Sequence, residues 1–344
     1  MAGAVDNTVP AMQFKGVFKM SNLAIAQKLA PWVGIGVSGS WDNSTDALDA
    51  ADMNFTVYPE KIFWDKPDGI LLDEIHDTGY QSQYVSMPEM VDMFANVRGD
   101  TNQVLGCVTP QYRIIQNKDA FSLIDPFIQG NDGVITNAGM TADGLCFMVA
   151  RIINSRGIGG EPYEINLMVT NSFNTKYPCQ IIMVPLRIIC QNMYRRLVND
   201  KILLAKHTLN VNERVISIAQ SKGIDKKIDT FKMIIESAQA IKITKAKLNS
   251  LIEMMFPYPK EGPREEAYRI RTDNLRRDFI ESYFDAPDNA MHKDSSFGFI
   301  NAYYDWISHR SAPRETSMKW NERRFNGIVN GVDINTHVLK EAMK

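Results

Sequence analysis

The fold is decided by two largely apolar runs, Ile165-Asn166-Leu167-Met168-Val169-Thr170 and Gln180-Ile181-Ile182-Met183-Val184, which flank a polar stretch at 171–179. Short runs of this composition, bounded by turn-forming residues, are typical of two β-strands joined by a hairpin. The same pattern stands just upstream, where residues 134–137 and 145–153 flank a glycine-containing stretch at 139–144. The four runs together predict a meandering antiparallel sheet.

Shorter elements are predicted before these strands. Val104–Val108 and Arg113–Gln116 have strand composition, and Asp119–Ile128 has that of a short helix that ends near Gly130. Residues 22–98 are interpreted as helices and loops, because helix-forming and helix-capping residues recur there, among them Ser44-Thr45-Asp46 before residues 47–53.

The chain after Pro185 is predicted to be helical. Apolar residues recur near helical spacing within 186–204, and residues 213–241 are predicted to form one long helix or a pair broken near Gly223. Further helices are predicted at 245–255, 265–284, 297–309 and 336–343. In the helix at 297–309, apolar residues recur at steps of three and four. We therefore expect that helix to dock on the core, with Asn301, Asp305, Ser308 and Arg310 mostly on its other face.

These elements predict an α+β protein: a small antiparallel β-meander packed by long helices, with helical N- and C-terminal regions. The predicted organisation is an acidic N-terminal helix/loop region at 1–103, an α+β core with basic helices at 104–256, and a helical C-terminal region at 264–344. A proline-rich linker, residues 256–263, separates the last two regions.

Length and composition bound the class of protein. The chain has 344 residues, of which 44% are hydrophobic, so it can bury one large core or two smaller ones. We find no apolar run of roughly 18 residues, the length that a spanning helix needs, and no secretory signal pattern. The sequence therefore predicts a cytoplasmic protein without membrane contact. The four cysteines stand singly in apolar segments, which favours buried thiols.

Charge is distributed very unevenly. Residues 1–105 carry six basic and fourteen acidic side chains, a net charge of −8, whereas residues 187–250 carry thirteen basic and five acidic ones, a net charge of +8. A block this basic attracts polyanions, and it also attracts the acidic block of the same chain or of a neighbouring copy. The sequence thus predicts a nucleic-acid partner and a homo-oligomer, either a ring or a filament.

The candidate nucleic-acid residues lie in and around the basic block. Guanidinium groups suit bidentate phosphate contacts, lysines follow the backbone, and aromatic rings stack on bases. For each tyrosine, ordinary half-buried packing is the competing interpretation. The predicted contacts are Tyr112, Arg113, Lys118, Arg187, Tyr194, Arg195, Arg196, Lys201, Lys206 and His207.

Patterns that would indicate catalysis or a cofactor are weak. Gly34-Ile35-Gly36-Val37-Ser38-Gly39 matches a phosphate-binding fingerprint, but a helix-like segment rather than a strand precedes it, so we interpret it as a turn. The five histidines stand apart, and the acidic patch at 73–77 is interpreted as a solvated loop rather than a cation site. We accordingly predict no cofactor, no metal and no catalytic residue, and an enzyme is unsupported rather than excluded.

Four segments carry a family resemblance: Pro31–Gly36, Val108–Phe121, the pair Pro185–Asn192 and Lys206–Thr208, and Phe299–Ala302 with Asp305 and His309-Arg310. In order and spacing they resemble the phage/plasmid-like family that carries domain of unknown function 932. The chain departs from the family pattern at Val33, where histidine is expected, and at Lys206, where arginine is usual. The resemblance implies mobile genetic elements and DNA metabolism rather than a particular mechanism.

The resemblance and the charge pattern favour the same function. A sheet backed by a basic helix is similar in outline to phage single-strand annealing proteins, which bind DNA as rings or filaments; this is an analogy of fold. We expect a protein that binds single-stranded DNA, or alternatively RNA or duplex DNA, and acts in annealing or recombination. Two other classes remain open, namely a phage protein that binds a host protein to block defence and an uncharacterised nucleic-acid enzyme.

Overall fold

The computed structural model describes residues 30–65, 70–76, 79–85, 88–130, 133–195, 197, 200–207, 224–259, 262, 264–310, 318–331 and 335–344. Its strands, in chain order, are β1 (Val37–Trp41), β2 (Val57–Asp65), β3 (Ile70–His76), β4 (Gly79–Val85), β5 (Pro88–Arg98), β6 (Val104–Val108), β7 (Val134–Met140), β8 (Leu145–Ile158), β9 (Glu161–Ser172), β10 (Cys179–Arg187), β11 (Asn192–Met193) and β12 (Lys201–Ala205). Its helices are α1 (Ser44–Ala50), α2 (Asn117–Phe121), α3 (Asp125–Gln129), α4 (Ile224–Ala240), α5 (Lys245–Met255), α6 (Glu265–Asp285), α7 (Ser296–Asp305), α8 (Met318–Asn330) and α9 (Thr336–Ala342).

A seven-stranded antiparallel sheet forms the centre of the molecule. Its order is β1-β7-β8-β9-β10, and both β11 and β12 pair with β10. The two predicted hairpins are confirmed, since β7 pairs with β8 and β9 pairs with β10, with Ile181 opposite Val169. The predicted meander is thus correct in kind, although the sheet is larger than expected because β1 and β12 extend it.

Both faces of the central strands are covered. Every residue of β10 is buried, as are the last eight of β9, so side chains that alternate between the two faces all pack against other elements. One cluster of buried hydrophobic residues extends from Ala30 to Ala342. The sheet and the C-terminal helices therefore share a single core, which crosses the predicted region boundaries at 103 and at 256–264.

The prediction that the N-terminal region is helical is wrong. Among its described residues only α1 is helical, while β2, β5 and β6 form a second antiparallel sheet and β3 pairs with β4 as a hairpin. In β2, Val57 is buried while Tyr58, Glu60 and Lys61 are exposed, and in β5, Asp92 is exposed while residues 95–98 are buried. A sheet with one solvated face accommodates acidic residues, so the acidic composition of this region did not exclude strands.

The glycine-rich segment forms a turn that leads into a strand. Gly34 and Gly36 adopt positive φ values of 85° and 68°, and β1 rather than a helix follows them. A Cβ at position 36 would lie 2.3 Å from the Ala138 carbonyl oxygen, so glycine is needed for this close approach. The segment therefore lacks the helix N-terminus that a dinucleotide-binding fingerprint requires.

Helix α7 lies inside the molecule. All ten of its residues are buried, and Trp306, in the π-helical turn that follows, packs edge-on against Phe256 at 5.1 Å. The predicted docking of this helix is confirmed. The expectation that Asn301, Asp305 and Ser308 face away from the core is wrong, because all three are buried.

The remaining C-terminal helices follow the sequence pattern closely. Helix α5 spans the predicted residues 245–255, with Thr244 accepting a capping hydrogen bond from the Lys247 amide, and α6 ends one residue after the predicted 284.

No helix in the described part of the chain combines the length and the apolar character needed to cross a membrane. Cys146, Cys179 and Cys190 are buried as predicted, whereas Cys107 is exposed.

Candidate nucleic-acid interface

A cleft of about 480 Å³ lies at one end of the central sheet. It forms where the turn between β9 and β10 meets the end of β12, since Cys179 pairs with Ala205 and Lys206 follows directly. The segment after β6 closes it from a third side. The lining residues are Thr109, Gln111, Tyr112, Thr175, Tyr177, Pro178, Lys201, Leu204, Lys206 and His207.

Hydrogen bonds fix the segment after β6 against both other parts of the cleft. The Tyr112 hydroxyl donates to the carbonyl oxygen of Ser172 at 2.8 Å, and the Arg113 amide donates to the carbonyl oxygen of His207 at 3.0 Å. Residues far apart in sequence are thereby brought together at the sheet end. Four of the ten sequence-predicted residues, Tyr112, Lys201, Lys206 and His207, line this one cleft.

Tyr112 and His207 form a stacked pair. Their ring centroids are 4.7 Å apart and the ring planes are inclined by only 9°. Burial lowers the pKa of His207, so the imidazole is neutral near pH 7, and burial raises the pKa of Tyr112, so its hydroxyl keeps its proton. The pair is therefore an uncharged aromatic wall of the cleft.

The two lysines supply the charge of the cleft. Lys206 is exposed and Lys201 is half-buried, and none of the described residues that line the cleft is acidic. Tyr177, one of the lining residues, donates a hydrogen bond from its hydroxyl to the carboxylate of Asp143, which is outside the lining. Cationic side chains beside an aromatic wall can hold an anionic ligand that has a flat ring system.

Arg113 and Lys118 lie outside the cleft lining. Arg113 is exposed and folds back on its own loop, where its Nη1 donates to the carbonyl oxygen of Pro110 at 3.2 Å. Lys118 is exposed on α2. The structure therefore leaves both accessible but does not gather them with the other four. Arg196 lies outside the described residues.

Arg187 and Arg195 are buried in ion pairs, which corrects the prediction that they contact phosphate. Arg187 Nη2 lies 3.0 Å from Glu161 Oε1, and its Nη1 donates to the carbonyl oxygen of Asp288 at 3.0 Å. Arg195 pairs with Asp200, and its side chain has 0% exposure. A buried guanidinium whose charge is already matched by a carboxylate is not available to a ligand in solution.

Tyr194 is likewise internal, so the prediction that it stacks on bases is corrected. Its ring lies 4.9 Å from that of Tyr304 and 5.6 Å from that of Tyr163, and it is fully buried. Its hydroxyl donates to Asn301 Oδ1, which also accepts from Asn192 Nδ2 at 3.0 Å. These residues join β11 to α7. Tyr194 is therefore a packing residue of the interior, which is the competing interpretation given above for the tyrosines.

The basic block is also less basic at the surface than its sequence suggests. Helix α4 carries three lysines and three acidic residues, so it is electrically balanced. The stretch at 186–204, predicted as a basic helix, consists in its described part of the end of β10, a turn, β11 and the start of β12. Near the start of α5, Lys242 and Lys245 are exposed, whereas Lys247 pairs with Glu341 at 3.1 Å, so the described positive charge that remains lies at the cleft and at Lys242 and Lys245.

Sequence reasoning missed the turn that forms one wall of the cleft. Thr175, Tyr177 and Pro178 belong to the predicted hairpin loop, and it is the pairing of β12 with β10 that makes this loop one wall of the cleft. The one available signal was a tyrosine next to a proline in a loop.

Within the described residues, we find no group of three or more His, Cys, Asp or Glu side chains that could hold a metal ion.

Comparison with known proteins gives a family and no further relative. No curated protein and no solved structure matches the chain at a significant level. Residues 104–329 match the family described as a domain of unknown function (DUF932), a range that runs from β6 through most of α8 and contains the cleft and every strand of the central sheet except β1. Because this match spans well over half of the sequence, the chain belongs to the DUF932 family.

Proposed function

We propose that this protein binds single-stranded nucleic acid, in particular single-stranded DNA, through the cleft at the end of the central sheet. The observation that carries the proposal is the convergence of Tyr112, Lys201, Lys206 and His207, which come from two segments about ninety residues apart in sequence. Each of the four has the side-chain chemistry of a nucleic-acid contact. RNA and duplex DNA are the alternative ligands.

The chemistry of the cleft supports this proposal. Lysine ammonium groups neutralise phosphates without regard to sequence, while an aromatic wall offers a surface against which bases stack. Leu204 and Pro178 add apolar contact area. A cleft of about 480 Å³ falls in the range of sites that hold small organic ligands, so it accommodates one nucleotide of a longer strand.

The biological role that we propose is annealing or recombination in the DNA metabolism of a phage or plasmid, within the host cytoplasm. The resemblance to phage and plasmid proteins supports this role.

Binding of single-stranded DNA is expected to weaken as salt rises. Each phosphate that a lysine neutralises contributes a slope of roughly −0.7 to the plot of log affinity against log salt, so the two cleft lysines contribute about −1.4. Fluorescence anisotropy with a labelled oligonucleotide at several salt concentrations measures the slope. An affinity that does not change with salt would contradict the proposal and favour a host protein as the partner.

We further propose that the protein assembles as a homo-oligomer, in a ring or a filament. Opposite charges at separate places support head-to-tail contacts, with exposed Asp46 and Asp49 on α1 and exposed Lys242 and Lys245 near α5. Mass photometry at low salt is expected to show species larger than one chain, and high salt should dissociate them. Only monomer at low salt, with and without DNA, would contradict this assembly.

A further inference from the structure

The two ring nitrogens of His207 have different surroundings. Nδ1 lies 3.0 Å from the carbonyl oxygen of Arg113, and because a carbonyl oxygen only accepts, Nδ1 carries the hydrogen. Nε2 is buried and has no hydrogen-bond partner among the residues that the structure describes. The side chain as a whole is 7% exposed and lines the cleft.

The unpartnered nitrogen is a hydrogen-bond acceptor. Burial lowers the pKa of His207, so the ring is neutral near pH 7, and a neutral ring with its hydrogen on Nδ1 presents a lone pair on Nε2. A buried acceptor without a donor is unfavourable, and most such groups in proteins are satisfied. Nε2 has almost no accessible surface, so a ligand's N–H or O–H group reaches it only after the side chains of the cleft wall shift, and such a contact would remove the cost.

We infer that the cleft holds one unpaired nucleotide whose base donates a hydrogen bond from its pairing edge to His207 Nε2. This inference rests on the proposed function. All four DNA bases carry an N–H group on the edge that they use for pairing, so the contact tolerates any sequence. In a duplex those groups are already engaged, so the contact favours single strands. Lys201 and Lys206 hold the adjacent phosphates, and the ring of Tyr112 supports that of His207.

The most direct test changes the ligand rather than the protein. A 12-residue oligodeoxyadenosine is compared with the same oligonucleotide made from purine deoxyriboside, which lacks the exocyclic amine and keeps the ring system. Wild-type protein is expected to bind the purine oligonucleotide about tenfold more weakly, because Nε2 loses its donor. A 12-residue oligoriboadenosine tests the ribose 2′-hydroxyl as the alternative donor.

Two variants of His207 separate the two nitrogens. In His207→Asn the amide approximates the position of Nδ1, so the contact with Arg113 is kept and the acceptor is lost. In His207→Gln the amide approximates the position of Nε2, so an acceptor remains. We expect His207→Asn to abolish the discrimination between the two DNA oligonucleotides and His207→Gln to retain part of it, and thermal melting checks that both variants are folded.

The outcomes separate this inference from the proposed function. Equal binding of both DNA oligonucleotides by wild-type protein, with the salt dependence intact, would overturn the inference and leave the proposed function standing. A strong preference for oligoriboadenosine that His207→Asn removes would overturn the base contact in favour of the ribose hydroxyl. If no oligonucleotide binds, both the proposed function and the inference fail.

Discussion

Replacement of Arg187 by methionine is expected to lower the free energy of unfolding by about 3–5 kcal/mol. The side chain of Arg187 is 2% exposed, and the carboxylates of Glu161 and Asp288, each 10% exposed, face it at 3.0 and 3.8 Å. Methionine fills much of the same volume but leaves the two carboxylates without this counter-charge in a poorly solvated site. Urea denaturation followed by circular dichroism measures the change.

The matched control is the exposed ion pair on α4 between Lys232 and Glu236. Lys232 Nζ lies 3.9 Å from Glu236 Oε1, and both side chains are about half exposed. Glu236→Gln should change stability by no more than about 0.5 kcal/mol. If Arg187 contacted nucleic acid instead, Arg187→Met would weaken DNA binding in a protein of unchanged stability. That result would restore the surface role predicted from sequence and contradict the buried ion pair.

Replacement of Phe231 by alanine is expected to cost a similar 3–5 kcal/mol. Phe231 on α4 is fully buried, and its ring contacts those of Tyr163 at 5.3 Å and Tyr194 at 6.0 Å, both edge-on. The substitution removes an aromatic ring from the contact between α4 and the sheet and leaves a cavity that rigid neighbours fill only in part. Thermal melting and chemical denaturation both report the loss.

Met233 provides the control on the same helix, since it is two residues away and 67% exposed. Met233→Ala should change stability by at most about 0.5 kcal/mol. A small loss for Phe231→Ala would mean that α4 is not packed on the sheet as described. DNA binding by the folded fraction of Phe231→Ala should be unchanged, because Phe231 is not among the residues that line the cleft.

The hairpins of the central sheet could be predicted because composition and turn residues act locally. Runs such as 165–170 and 180–184 are bounded by polar loops and are too short for typical helices, so strands were the consistent interpretation. Helices α5 and α6 were predicted nearly to the residue because Thr244 caps the first and prolines lie between the two.

The stretch at 186–204 could not be predicted in the same way. Its apolar residues fall near helical spacing, but Leu186 and Arg187 continue a fully buried strand, and Gln191 takes a positive φ of 55° in the turn that follows. Periodicity alone does not distinguish a buried strand that ends in a turn from the start of a helix. The strands of the N-terminal region were not predicted for a related reason: a sheet with one solvated face and a solvated helix can have the same acidic composition.

The candidate site was predicted in part. The side-chain type of the lysine, histidine and tyrosine residues indicated nucleic-acid contacts. Those in and after β12 and the tyrosine after β6 lie together in the lining of the cleft. Whether an arginine is a surface contact or an internal ion pair depends on a partner that sequence does not place nearby. Glu161 precedes Arg187 by 26 positions and Asp288 follows it by 101, so only the folded chain brings them together.

The central claim, that the cleft binds single-stranded DNA, is tested most directly by titrating a labelled oligonucleotide into wild-type protein, a Lys201→Glu/Lys206→Glu double variant and the control Lys118→Glu. Lys118 is an exposed lysine outside the cleft lining. The account predicts that the double variant binds at least about tenfold more weakly to all sequences and that its salt slope shrinks by roughly 1 to 2, while Lys118→Glu stays close to wild type. Equal affinity and an equal slope for the folded double variant and wild type would contradict it.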